Sequence, residues 1–135
     1  MRVVLDTNVL VSAVLTPGGS AHQVIQLVLR GDLQLCVDSR IVAEYREILA
    51  RGKFGFSTSL IGEFLEALLE EAQEVLPGPL PGRFPDEADR IFLEVAVSGG
   101  AAAVVTGNAR HFHAAKEQGI PVKSPSEFLA WWLRR

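Results

Sequence analysis

The residues best suited to chemistry come directly after three short apolar runs of the sequence. They are Asp6, Thr7 and Asn8 after the first run, Asp38, Arg40 and Glu44 after the second, and Thr106, Gly107 and Asn108 after the third. Two further acids, Asp86 and Asp89, stand three residues apart at the start of a predicted helix and so share a face of it. If the runs are parallel strands, ligands bind beyond their carboxyl ends, and these side chains form the candidate site.

Asp6 is the most distinctive of these acids because apolar sequence surrounds it. It lies within VVLDTNVLVSAVL, and no lysine or arginine occurs from Val3 to Val28. A carboxylate drawn into a region of low dielectric needs a partner, or else it takes up a proton. A divalent cation would supply that partner, and backbone N–H groups would supply it if Asp6 caps the helix that follows. The sequence leaves both interpretations open.

The other candidates each have a structural explanation beside the functional one. Glu44 stands four residues after Arg40 and fits the solvated face of an amphipathic helix. Asp86 follows a proline and fits a helix cap, and Asn108 fits a turn after a strand. His111 and His113, two residues apart, do not face the same way on a helix, so no histidine metal pair is predicted.

Strands alternating with helices must position these residues. The predicted strands are residues 2–5, 33–37 and 101–105, with a short edge strand at 120–122. The first predicted helix has Ser20 as its cap, the second begins at Asp38 or Ser39, and the third runs from Ser57 to Val75. Further predicted helices begin at Asp86, at Ala109, and at Ser124 or Ser126. The proline-rich residues 77–85 are predicted to be an extended connection. This alternation predicts a three-layer α/β fold with a mostly parallel central sheet of four to five strands.

Length and composition limit the class of protein. The chain has 135 residues, of which 48% are hydrophobic and 21% charged, so one domain spanning residues 1–135 with a single core is expected. One cysteine, no apolar run long enough to cross a bilayer and no signal-peptide pattern predict a cytoplasmic protein without a membrane anchor. The formal net charge of −3 argues against a general nucleic-acid coat protein but not against an enzyme with a local acidic metal site.

Four segments together resemble the PIN-domain family, in particular its bacterial ribonuclease toxins. VVLDTNVLVSAVL resembles the family's first-strand motif, and DSRIVAEYREIL is similar to the second motif, which carries Glu44. DEADRIFLEVAVSGGAAAVVTGN is similar to the third, with Asp89 three positions before Phe-Leu, and PVKSPSEFL matches the family's last strand, turn and helix. The resemblance covers nearly the whole chain in order, and the combination is more specific than any one motif.

The resemblance implies a Rossmann-like sheet whose carboxylates converge to hold Mg²⁺ or Mn²⁺, and endoribonuclease activity. It implies the toxin of a type II toxin–antitoxin pair, with an antitoxin protein, RNA and a second copy of the chain as partners. The family's catalytic and metal-binding acids fall on Asp6, Glu44 and Asp89, and its supporting polar residues on Asn8 and Thr106. The family often has a fourth acid where this chain has Asn108, so a second metal would depend on Asp86. Arg40, Arg46, Arg90 and Arg110 are candidates for contacts to the RNA backbone.

Two other functions are compatible with parts of the sequence. A PIN-fold module that binds RNA or protein without cleaving fits Asn108, but it would have no need for three carboxylates facing a polyanion. A Mg²⁺-binding receiver-like signalling domain would need a phospho-accepting aspartate near the middle of the chain, and none occurs from Ser39 to Arg83. The metal-dependent ribonuclease is therefore the favoured prediction.

Overall fold

A five-stranded parallel sheet forms the centre of the computed structural model, which describes residues 1–82, 84 and 87–135. The described strands are β1 (Arg2–Leu5), β2 (Gln34–Val37), β3 (Gln73–Glu74), β4 (Ala103–Val105) and β5 (Val122–Lys123). Their order is β3-β2-β1-β4-β5, and every neighbouring pair is parallel. The predicted α/β fold with a mostly parallel sheet is confirmed, and β1 lies at its middle.

Seven α-helices connect and cover these strands in the described part of the chain. They are α1 (Thr7–Leu15), α2 (Ser20–Leu29), α3 (Ser39–Leu49), α4 (Thr58–Leu69), α5 (Glu87–Gly99), α6 (His113–Glu117) and α7 (Pro125–Arg134). Two short 3₁₀ turns, Gly52–Phe54 and Ala109–Phe112, join them. Helix α5 packs against β1, β2 and β4, while α2 packs against both α1 and α7. None of these helices is long and apolar enough to cross a membrane.

The sheet is buried because its central strands are almost entirely apolar. Val3, Val4 and Leu5 of β1 have no solvent exposure, and β4 is equally buried. Parallel strands covered by helices on their connections have no solvent-facing side, which explains why these runs do not alternate between apolar and polar residues. The carboxyl ends of β1 and β4 therefore emerge side by side from a rigid core.

Three helices start where the sequence predicts a helix start, and each start has a capping side chain. The Asp38 side chain accepts a hydrogen bond of 3.0 Å from the Ile41 N–H and begins α3, and Ser57 caps α4 in the same way. Ser124 caps α7, completing a capping box. Ser20, predicted as a cap, is instead the first residue of α2, which Gly19 precedes in the cap position.

The predicted helix over residues 57–75 is too long. Helix α4 ends at Leu69, and Gln73–Glu74 is an edge strand that pairs with β2. Glu70 and Glu71 place negative charge at the carboxyl end of the helix, where the helix dipole disfavours it. The strand pairing then continues as the Val75 N–H donates to the Val37 carbonyl at 2.9 Å.

The predicted helix over residues 109–118 is divided. The 3₁₀ turn Ala109–Phe112 comes first, and it buries the Phe112 ring, which is 2% exposed. Helix α6 then continues for five residues. Because a 3₁₀ turn has fewer residues per turn than an α-helix, His111 points in a different direction from the one that the predicted helix would give it.

The proline-rich segment, here residues 77–82, lies along α5 without forming a helix or strand. The Gly78 N–H donates to Ser98 Oγ at 3.0 Å, and the Leu80 N–H donates to Glu94 Oε2 at 2.8 Å. Arg90 donates to the backbone carbonyls of Leu80 and Gly82. The predicted extended connection is thus held by side chains of the helix that follows it. The predicted helix start at Asp86 lies outside the described residues.

Candidate active site

Asp6 stands at the carboxyl end of β1 and is nearly buried, with 8% of its surface exposed. Its Oδ2 accepts a hydrogen bond of 2.7 Å from Thr106 Oγ1 and one of 3.2 Å from Asn8 Nδ2. Asp6 occupies the cap position of α1, but its side chain makes no capping hydrogen bond. The carboxylate is thus oriented by groups from two strand ends, and the capping interpretation does not account for it.

Glu44 is joined to this strand end through Thr7. The Thr7 hydroxyl, on the residue after Asp6, donates to Glu44 Oε2. Glu44 is half-buried, so it does not lie on the fully solvated face of α3. The side chains of Thr7 and Glu44 therefore connect α3 to the end of β1.

Tyr45, the residue after Glu44, makes a second connection between α3 and β1. Its side chain has no solvent exposure, and its hydroxyl donates a hydrogen bond of 2.6 Å to the Leu5 carbonyl. Burial raises the pKa of Tyr45 well above its usual value, and the nearby negative charges of Asp6 and Glu44 raise it further. The two carboxylates thus lie close enough to the same buried hydroxyl to act on its ionisation.

Asp89, on the first turn of α5, faces the turn after β4. It is 6% exposed, and its Oδ2 lies 3.1 Å from His111 Nδ1. The Asn108 side-chain nitrogen lies 3.1 Å from each nitrogen of the same imidazole ring. The Asn108 backbone N–H donates to Thr106 Oγ1 at 3.0 Å. A chain of polar contacts therefore runs from Asp6 through Thr106, Asn108 and His111 to Asp89.

The structure connects the three predicted acids and most of their predicted supporting residues. Asn8 is held in place because its Oδ1 accepts from the Gly107 N–H at 3.1 Å. Thr106 and Asn108 lie within the chain of contacts, whereas Asp86 lies outside the described residues.

The donor chemistry of this site suits a hard divalent cation. Asp6, Glu44 and Asp89 offer carboxylate oxygens, and Mg²⁺ is commonly held by one or two carboxylates with waters and substrate phosphates completing its shell. Over residues 1–82, 84 and 87–135, no group of three or more His, Cys, Asp or Glu side chains is arranged to hold a metal ion. A closed protein cage is therefore absent from the described residues, and a cation held by these carboxylates would take most of its shell from water and substrate phosphates.

The four predicted RNA-contact arginines fall into two kinds. Arg40 Nε lies 2.7 Å from Asp38 and its Nη1 lies 2.9 Å from Glu94. Burial alone would lower the pKa of Arg40, but its hydrogen bonds to Glu94 and Asp38 outweigh this and raise it. Arg90 pairs with Glu87 at 2.6 Å and stacks on Phe84. Arg40 and Arg90 thus hold the fold together.

The remaining two, Arg46 and Arg110, are exposed. A groove of about 290 Å³ also opens beside Asn8 and Gly107 and is bounded by Ser12, Ser20 and Ser126. One exposed arginine thus lies on α3 and the other on the 3₁₀ turn after β4, and an open groove lies beside Asn8, which donates to Asp6.

Sequence reasoning missed the roles of Thr7, Tyr45 and His111. The sequence shows that Thr7 follows Asp6 in the first motif, but it does not show that the Thr7 hydroxyl bonds to Glu44 on α3. From the sequence, His111 and His113 suggest at most a surface contact to RNA, whereas in the structure His111 lies 3.1 Å from Asp89 on α5. These contacts depend on packing between distant segments, which spacing along the chain does not reveal.

The comparisons with known proteins show the family. A PIN domain model matches residues 2–110, and the chain belongs to the PIN-domain family. PIN domains are generally nucleases and typically use divalent metals. No curated protein matches the chain.

Two solved structures share the fold. One is VapBC2 from Rickettsia felis bound to a DNA fragment from their promoter, with 16% identity and a TM-score of 0.58. The other is FitAcB from Neisseria gonorrhoeae, with 22% identity and a TM-score of 0.59. In both, the match covers 92% of this chain and 98% of the other.

Proposed function

We propose that this chain is a metal-dependent endoribonuclease, with residues 1–135 forming one PIN domain. The observation that carries the proposal is the set of polar contacts that links Asp6 to Glu44 through Thr7, and Asp6 to Asp89 through Thr106, Asn108 and His111. Asp6 and Asp89 are nearly buried and Glu44 is half-buried, and neutral hydroxyl and amide groups donate to Asp6 and Glu44. Such a set of acids is suited to a cation and unsuited to binding a polyanion directly.

The acids have separate parts in this proposal. Asp6 and Asp89 would hold Mg²⁺ or Mn²⁺, and Glu44 would bind the ion directly or through water. The bound ion supplies an acidified water and offsets negative charge on the phosphate oxygens. Thr106 and Asn8 both donate to Oδ2 of Asp6 and so fix the orientation of that carboxylate. Products with 5′-phosphate ends are expected of this chemistry.

The RNA would be held by a few local cations. With a formal net charge of −3, the chain offers no general attraction to nucleic acid. Arg46 and Arg110 are exposed and available for phosphate contacts, whereas Arg40 and Arg90 are engaged within the protein. Few phosphate contacts imply a shallow dependence of RNA affinity on salt concentration.

We further propose that the chain is the toxin of a cytoplasmic toxin–antitoxin pair. Its structural neighbours, VapBC2 and FitAcB, are toxin–antitoxin complexes of the same fold. An antitoxin protein and a second copy of the chain are the expected partners. Co-purification with the product of an adjacent gene, followed by light scattering, would test both.

Cleavage of an end-labelled structured RNA tests the enzyme directly. The protein is assayed with Mg²⁺ or Mn²⁺ against EDTA, beside Asp89→Asn and the matched control Asp32→Asn, which changes an exposed acid. We expect metal-dependent cutting by the wild type and the control, and none by Asp89→Asn. Cutting that persists in EDTA or in Asp89→Asn would contradict the proposal.

A non-cleaving RNA-binding module is the second candidate. Asn108, at a position where the family often has an acid, is the observation that favours it. Metal binding without cleavage of any RNA, together with RNA binding that is insensitive to Asp89→Asn, would favour this candidate over the nuclease.

A further inference from the structure

We propose that the groove beside Asn8 is a nucleoside subsite, which holds one ribose and its base next to the candidate acids and recognises the ribose 2′-hydroxyl. This inference rests on the proposed function, since it names the part of the RNA that the same site would bind. Its basis is the position of the groove, the order of its walls and the neutral side chains that line it.

The groove adjoins the candidate acids through Asn8. Asn8 lines the groove, and its side chain donates to Asp6 Oδ2 at 3.2 Å and accepts from the Gly107 N–H at 3.1 Å. Gly107 lines the groove as well. A nucleotide whose phosphate is bound to a cation at Asp6 can therefore extend its ribose and base into the groove.

The walls of the groove are held in place by contacts within the protein. In the turn before α2, the Gly19 N–H donates to the Thr16 carbonyl at 3.0 Å, and the Gly18 N–H donates to His22 Nδ1 at 2.9 Å. Helix α2 packs against both α1 and α7, which supply the other walls. The groove is thus formed before a ligand binds, and a formed groove lowers the cost of ordering on binding.

The lining favours the neutral part of a nucleotide over its phosphate. Within the described ranges of the chain, no charged side chain lines the groove, whereas the hydroxyls of Ser12, Ser20 and Ser126 belong to residues that do. The start of α7 is unfavourable for a phosphate, because Glu127 places a negative charge in its first turn and accepts from the Ser124 N–H at 3.1 Å.

One nucleoside matches the size and the chemistry of the groove. The groove has a volume of about 290 Å³, just below the roughly 300–1,000 Å³ of small-molecule sites, so it suits a single nucleoside better than a longer segment. The Pro125 ring offers an apolar surface to a base or ribose. The serine hydroxyls can donate to and accept from the 2′-OH, the group by which proteins distinguish RNA from DNA.

Equilibrium binding of matched strands tests the inference without relying on activity. The probes are a fluorescent single-stranded RNA of mixed sequence and the 2′-deoxy strand with the same bases, both measured in Ca²⁺ so that the acids carry a cation. We expect wild type to bind the RNA about threefold to tenfold more tightly, the value of one or two hydrogen bonds. The 2′-OH is not the nucleophile of the proposed reaction, so this preference reports recognition.

Removing the hydroxyls should remove the preference. We expect the double variant Ser12→Ala with Ser126→Ala to bind RNA only as tightly as the 2′-deoxy strand, whose own affinity stays unchanged. Ser59→Ala is the matched control, because Ser59 is exposed and lies in the first turn of α4, as Ser126 does in α7. Equal losses for both strands would place a phosphate in the groove and overturn the inference, as would a wild type without any preference for RNA.

Filling the groove gives a second measurement. Ser12 is exposed on α1, and leucine suits a helix, so Ser12→Leu should fold, which thermal unfolding checks. The added side chain occupies the place of the ribose, and we expect the preference for RNA to be lost. A Ser12→Leu variant that keeps the wild-type preference would overturn the inference.

The outcomes separate this inference from the proposed function. If wild type binds Mn²⁺ and cleaves RNA while the groove variants keep the wild-type preference, only the subsite fails. If wild type neither binds Mn²⁺ nor cleaves RNA, the proposed nuclease fails, and a preference for RNA that Ser12→Leu abolishes would still support the subsite.

Discussion

The Tyr45 hydroxyl donates a hydrogen bond of 2.6 Å to the backbone carbonyl of Leu5. Tyr45 follows Glu44 on α3, and Leu5 is the last residue of β1, directly before Asp6. The hydrogen bond therefore joins the immediate neighbours of two candidate acids. The Thr7 hydroxyl makes the parallel connection between the side chains. Together, these two bonds fix the helix relative to the strand end.

Replacing Tyr45 with Phe should lower stability by about 1 kcal/mol, the usual net value of one buried hydrogen bond. The ring and its contact with Phe92 remain, so the loss is confined to the hydroxyl. Urea unfolding measures the change, and the slope of the transition should stay constant. An unchanged midpoint would show that the bond to Leu5 adds no stability.

Replacing Thr106 with Val should cost about 1–3 kcal/mol, because it removes a donor to the nearly buried Asp6 carboxylate without changing side-chain shape. Thr106→Ser keeps the hydroxyl and is the matched control for it. Both variants are compared by urea unfolding and Mn²⁺ titration. We expect weaker Mn²⁺ binding in Thr106→Val than in Thr106→Ser, and equal binding would contradict the role assigned to the hydroxyl.

Replacing Glu94 with Ala should loosen the proline-rich segment at Leu80, because the Leu80 N–H then loses its acceptor on α5. Glu94 is 4% exposed and accepts from both Arg40 and the Leu80 N–H. Because Arg40 is 42% exposed, solvent screens part of the charge, and we expect a loss of about 1–2 kcal/mol.

Amide hydrogen exchange locates this effect. The Leu80 amide should exchange faster in Glu94→Ala, while Ser98→Ala should affect the Gly78 amide, whose acceptor is Ser98. Equal acceleration throughout the chain would indicate global destabilisation instead.

The capping box at the start of α7 predicts a pH dependence. The Ser124 backbone N–H and hydroxyl lower the pKa of Glu127. Because the pKa in the folded state lies below that of the unfolded chain, the ionised form stabilises the protein at neutral pH. This contribution is lost as the pH falls below about 4.

Comparing Glu127→Gln with wild type isolates that contribution, because glutamine can still accept from the Ser124 N–H. Wild type should be the more stable protein at neutral pH, and the difference should close in acid. A difference in melting temperature that stays constant from neutral to acidic pH would contradict the electrostatic origin.

Much of the fold could be predicted because its strong patterns are local. Buried strands β1, β2 and β4 are continuous apolar runs, and Asp38, Ser57 and Ser124 mark helix starts with capping side chains. Strand β3 could not be predicted, because Gln73–Glu74 is polar and is a strand only through its backbone pairing with β2.

The part of the candidate site that lies at the ends of neighbouring strands could be predicted from the sequence. Asp6 and Thr106 are 100 residues apart, yet both follow strands that are neighbours in the sheet. The contact of His111 with Asp89 depends on a 3₁₀ turn packed against α5, and no spacing along the chain indicates it. Side-chain direction within a tight turn is set by packing, which periodicity does not describe.

The shortness of the outer strands limits how this protein can self-associate. The sheet of the described residues ends in β3 and β5, which have two residues each, and Glu74 and Lys123 place charges on them. An exposed strand edge is a template for pairing with another chain, and short, charged edges are poor templates. Copies of this protein therefore have little backbone with which to extend the sheet from one molecule to the next.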